Sequence, residues 1–317
     1  MRIARLLAAV AAVLIFAAAA AAVSVTVVVD YDPVLGEQPE GVAVDKTGNI
    51  FVSVSPLGRI EKITPGGSRS TYAQVVPPGS GNGPLGLAVD AVGNVYVAVA
   101  TFNPATSGVY RVERDGSSAR LAGTGSIAFP NGLTFDKRGN LYVTDTIMGA
   151  VWRIPRDGPA HMWLQSPLLV GDGSIGFGIP LGANGIAYRQ GELVVGNTEL
   201  ARLVRIPIEP DGSAGSPSVL AQSPLLFAAD GLAFDVHGNV WVAVIAQSAI
   251  RTVSPGGTIT TIATAADGLD WASGIAFGTS HGERGSLYAV NFAIGPPGGP
   301  GPRLLKLDVG VRGQPVP

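Results

Sequence analysis

The sequence predicts an all-β chain, a six-bladed β-propeller with four-stranded antiparallel blades, and three observations carry that expectation. Six segments share one frame in which a variable residue precedes a glycine. The variable residues are Glu40, Leu85, Asn131, Asn184, Asp230 and Ser273, spaced 45, 46, 53, 46 and 43 residues apart. Repeats of that period denote a solenoid or a propeller. Runs of five or six residues alternate between apolar and polar, bounded by Gly, Pro, Asn and Asp, and read as strands and turns. A content of Gly 44 and Pro 24 in 317 residues favours many turns over long helices.

The chain opens with MRIARLLAAVAAVLIFAAAAAAVSVTVVVD, in which Arg2 and Arg5 precede an apolar run over residues 6–23. Residues 1–24 are expected to be a signal peptide or an N-terminal membrane anchor, and residues 25–317 the propeller domain. The alanines at 20–22 suit a signal peptidase, whereas the length of the run approaches a membrane span. Both readings place the folded domain outside the cytoplasm, secreted or tethered. Val25 to Val29, β-branched throughout, are expected to form the first strand.

Each repeat then reads in order. The frame strand, PEGVAVD in the first unit, leads to a polar turn with Gly-Asn in most units and then to a second strand such as NVYVAVA or NLYVTDT. Third strands follow as GRIEKITPGG, SGVYRVERDG, GAVWRIPRDG, ARLVRIPIEPDG and SAIRTVSPGG, and RLLKLDVG ends the last unit. Polar tracts such as SRSTYAQV and GTITTIAT supply an outer fourth strand. Six such sheets set radially bury their faces against one another and leave no long exposed edge. A linear β-solenoid competes, but it suits shorter rungs.

Several function classes are excluded. Lys+Arg 21 against Asp+Glu 23 gives a net charge of -2, with no basic stripe for nucleic acid. The absence of cysteine excludes disulfides and thiolate chemistry. Neither a phosphate-binding glycine loop nor a G-x-S-x-G elbow is present. The three histidines, His161, His237 and His281, stand in no zinc-spaced motif, and His237 and His281 read as turn and loop residues. Phe102, Asn103, Met148, Phe177, Phe227, Trp271 and Phe292 fall near strand ends, where they either line a channel mouth or pack between blades.

The frame position carries the chemistry. In a propeller the innermost strand runs along the axis, so equivalent positions face one cavity. Leu85 and Ser273 are ordinary choices for such a wall, but Glu40, Asn131, Asn184 and Asp230 are two carboxylates and two amides. Taken singly, an Asn or Asp before Gly is a turn residue and a Glu after Pro is solvent-exposed. Taken together, two carboxylates in one cavity are costly unless a cation neutralises them. Calcium accepts carboxylate and amide oxygens in six to eight positions, whereas magnesium asks for tighter geometry and zinc for His or Cys.

With Glu, Asn, Asn and Asp in that order, the chain resembles the senescence-marker/gluconolactonase family of six-bladed propellers over roughly residues 32–309. It is similar more loosely to NHL-repeat and strictosidine-synthase-like propellers. The family, and the diisopropyl-fluorophosphatase-like hydrolases that share its architecture, hold a central calcium with such a set. The resemblance implies that Glu40, Asn131, Asn184 and Asp230 hold calcium or another divalent cation. It further implies hydrolysis of a small-molecule lactone or other ester, with Asp230 as base or nucleophile. The alternative is a non-enzymatic propeller with a structural calcium that binds protein or polysaccharide. A monomer is the expected state of a closed ring.

Overall fold

The computed structural model describes residues 23–315, which form six four-stranded antiparallel sheets. The leader or anchor expected over residues 1–24 lies outside the described residues except for Val23 and Ser24. Among the described residues no helix is long and apolar enough to cross a membrane.

Blade one runs outward through Pro39–Val44, Ile50–Val54, Arg59–Ile63 and Arg69–Gln74, and blades two to five repeat that order. Blade six differs. Its inner three strands are Ala272–Phe277, Ser286–Asn291 and Arg303–Asp308, and its outer strand is Ser24–Asp30 from the start of the domain. The β-branched run read as a first strand is thus the clasp that closes the ring.

The frame strands of neighbouring blades lie side by side around the axis. Alternation along each of them sets the packing. Val42 and Val44 point into the cluster shared with blade six, while Ala43 between them joins the cluster shared with blade two. Ile186, Tyr188 and Ala187 repeat that division one blade pair at a time. A large side chain on one face and alanine on the other lets the blades converge toward the axis without overfilling it.

The recurring Asp and Gly-Asn of the sequence also acquire a cause. Asp136 accepts from the backbone nitrogens of Arg138 and Asn140 and from the Asn140 amide at 2.8, 2.9 and 2.8 Å, which closes the turn between the first two strands. Asp45 and Asp235 do the same in blades one and five.

Candidate metal centre

All six frame strands shift register at the same place. Pairing passes from Pro39↔Val54 to Val42↔Val52 in blade one, and equivalent breaks follow Pro84, Pro130, Ala183, Ala229 and Ala272. The variable residue and its glycine form the bulge. The glycine is required by close approach. A methyl group on Gly185 would stand 1.9 Å from the Asp230 carbonyl oxygen, and one on Gly132 would stand 2.6 Å from that of Asn184. Each frame glycine of the ring faces the carbonyl of the next blade's frame residue in this way.

Hydroxyls tie that ring together. Ser53 donates to the Leu85 carbonyl at 2.7 Å, Thr144 to that of Asn184 at 2.5 Å, Thr198 to that of Ala229 at 3.0 Å and Ser273 to that of Glu40 at 2.6 Å. The bulges are therefore fixed blade to blade, and the side chains they carry are fixed with them.

Glu40, Asn131, Asn184 and Asp230 meet around one cavity of about 60 Å³, together with their glycines and a ring of apolar residues that includes Val42, Leu133 and Ile275. All four side chains are buried. The amide nitrogen of Asn131 donates to Thr146 Oγ1 at 3.4 Å and that of Asn184 to Thr198 Oγ1 at 3.2 Å, which turns the amide oxygens away from those threonines. Thr146 and Thr198 escaped the sequence reading, although each follows an Asp or Asn at the end of a second strand, in VTDT and VGNT.

The electrostatics are those of an uncompensated anionic site. Glu40 Oε2 and Asn184 Oδ1 are buried with no hydrogen-bond partner. Burial first, and the Asp230 charge second, hold the Glu40 carboxyl well above the ordinary carboxylate range. Burial pushes Asp230 up to about 7. Among the described residues there is no group of three or more His, Cys, Asp or Glu suited to a metal. An ion here would draw half its protein ligands from amides, a set that fits a hard, oxygen-seeking cation.

Leu85 and Ser273 share the frame but not the cavity. Leu85 packs with Ala100 and Phe129, and the Ser273 hydroxyl is spent on the Glu40 carbonyl. None of the three histidines lines the cavity, and His237 and His281 lie in exposed turns at the opposite end of their blades. Phe102, Met148, Phe177 and Phe227 are exposed on loops at the end where the frame strands begin. Phe102 leans on Phe129, with ring centroids 5.4 Å apart.

No protein-family model and no curated protein matches the sequence. Solved structures do. A gluconolactonase from Xanthomonas campestris is 18% identical with a TM-score of 0.65, the match covering 90% of this chain and 89% of that one. A calcium-binding protein, regucalcin, from Agrobacterium tumefaciens is 15% identical with a TM-score of 0.65, covering 89% and 93%. A luciferin-regenerating enzyme is 15% identical with a TM-score of 0.67, covering 93% and 98%. At these identities the likeness carries the fold, and three differently named proteins on one fold leave the reaction to be argued from the site. In architecture the chain is a six-bladed propeller of the kind shared by gluconolactonase, regucalcin and luciferin-regenerating enzyme.

Proposed function

We propose that the chain is a calcium-dependent hydrolase of a lactone or other small ester, with the ion held by Glu40, Asn131, Asn184 and Asp230. The observation that carries this reading is the convergence of four oxygen-bearing side chains on one small cavity, with Glu40 Oε2 and Asn184 Oδ1 buried and unpartnered. A bound calcium supplies charge to offset both carboxylates and to polarise an ester carbonyl. The names of the gluconolactonase and regucalcin neighbours support the reaction class and the ion.

Within the chain the roles divide by chemistry. Glu40 contributes charge, and Asn131 and Asn184 contribute neutral oxygens whose directions Thr146 and Thr198 set. Asp230 is the carboxylate assigned to the reaction. It takes a proton from an attacking water, or attacks the acyl carbon itself. An apolar ring that includes Val42, Leu133 and Ile275 lines the far side of the cavity.

The same reading has the protein exported and monomeric, with residues 1–24 as leader or membrane tether. Arg2 and Arg5 ahead of the apolar run support export.

The test is metal content of the domain purified without chelator, followed by calcium-restored hydrolysis of a panel of lactones and aryl esters. Stoichiometric calcium and restored turnover in wild type, both lost in Asp230→Ala, are expected. Calcium binding with no turnover across the panel would favour a structural ion, and no divalent metal would overturn the centre.

A further inference from the structure

Below the apolar ring the channel widens into a second cavity of about 570 Å³ that opens at the opposite end of the blades. Its volume lies in the range of small-molecule sites. The walls are the lower halves of the frame strands, with Leu87, Leu133, Phe135, Ile186, Leu232 and Phe277 among them. The C-terminal segment lies across the opening. Gly313 bridges to Asp235, and the Gln314 backbone nitrogen donates to the Phe234 carbonyl at 2.8 Å. The Gln314 side chain donates to the Tyr188 carbonyl at 3.2 Å.

The charged side chains of this cavity have one sign. Among the described residues Lys46, Arg284 and Arg312 line it, and no Asp or Glu does. Among the described residues none of the three makes an ion pair, whereas neighbouring Glu283 is taken by Lys306. Lys46 donates to the Ala91 carbonyl at 2.9 Å and Arg284 Nε to that of Thr279 at 3.2 Å, which holds the two cations in place without neutralising them. Low-dielectric walls under like charges concentrate the positive potential at the mouth.

We propose that this cavity is a second ligand site and that its ligand is an aliphatic carboxylate. The alkyl chain lies against the apolar walls, and the headgroup sits among Lys46, Arg284 and Arg312. A cationic amphiphile meets like charge at the mouth, and a polyhydroxylated ligand finds few partners on walls whose hydrogen-bonding side chains are chiefly Thr134, Tyr188, Thr279 and Gln314. The site requires no metal and stands independently of the proposed hydrolysis.

Calorimetric titration with sodium dodecanoate below its micellar concentration, in chelator, tests this. Dodecyltrimethylammonium is the control of opposite charge, and Asp230→Ala the control for the other cavity. Saturable one-to-one binding of dodecanoate is expected in wild type and in Asp230→Ala, with none of the ammonium compound. The exposed pair Arg284→Glu/Arg312→Glu should weaken dodecanoate at least tenfold, and Val236→Trp, at an exposed lining position, should abolish it. Absence of saturable binding, equal affinity for both headgroups, or undiminished affinity in the charge-reversed pair would overturn the proposal. The surface pair keeps the test decisive even where Val236→Trp perturbs folding.

Discussion

Replacing Asp230 by asparagine preserves shape, removes one buried charge and tests the anionic cavity directly. Moving a carboxyl from its ordinary 3.8 to about 7 corresponds to about 4 kcal/mol of disfavour for the ionised form. In chelator at pH 8, where wild type ionises Asp230 beside Glu40, Asp230→Asn is therefore expected to be the more stable protein by up to about 4 kcal/mol. At pH 4 the carboxyl is protonated in the folded protein, and the advantage shrinks below about 1 kcal/mol. At roughly 2 °C per kcal/mol the pH 8 difference is a Tm rise of about 8 °C, measurable by scanning calorimetry in chelator. Calcium should close most of that gap. At a hundredfold excess over its Kd it adds about 2.7 kcal/mol to wild type, and much less to a variant that has lost a ligand charge. A variant no more stable than wild type in chelator at pH 8, or equally stabilised by calcium, would refute the reasoning.

The pH dependence of the metal-free protein follows from the same groups. Glu40 and Asp230 both have raised folded-state values, so each stabilises the protein at low pH; the share of Asp230 is complete below about pH 4 and is lost as pH rises through about 7, and that of Glu40 is lost in the same direction. Urea titrations in chelator should show that decline, and calcium affinity should climb over the same interval. Thr198→Val removes the hydroxyl that accepts from the Asn184 amide and holds the Ala229 carbonyl; calcium affinity is expected to fall about tenfold to a hundredfold by titration, with Asn184 itself intact. Gly185→Ala places a methyl 1.9 Å from the Asp230 carbonyl and should cost about 3 kcal/mol or more in denaturant unfolding. Gly256→Ala, where the nearest atom would stand 3.9 Å away, should cost under about 1 kcal/mol.

The repeat was legible because each of its residues answers a local demand. Asp and Gly-Asn close a turn within five residues, and alternation records which face each side chain presents. The oxygen set was legible as a set because the frame repeats six times, so departures at one position stand out. Pairing across the ring left no such trace. Ser24–Asp30 reads as a strand from its own residues, but nothing local says that its partner is Arg303–Asp308. The bulge likewise hid the difference between positions. Leu85 and Ser273 share a sequence position with the four oxygen residues, yet one packs between blades and the other binds a carbonyl. Thr146 and Thr198 were illegible for a related reason, since a threonine at a strand end is ordinary until its asparagine is seen across the sheet.

Closure by Ser24–Asp30 has a temporal consequence. This strand is synthesised before every blade, yet its partner is the last strand to emerge, so blades one to five can assemble while the sixth remains incomplete. Until then Arg303–Asp308 has an open edge, and the earlier strand must stay unpaired for the whole of synthesis. The arrangement makes ring closure a late and long-range event, dominated by loop entropy. Moving the chain break into the long segment before Asn184 while linking the present termini would place both partners of the clasp on adjoining chain, and refolding of that permuted propeller should be the faster.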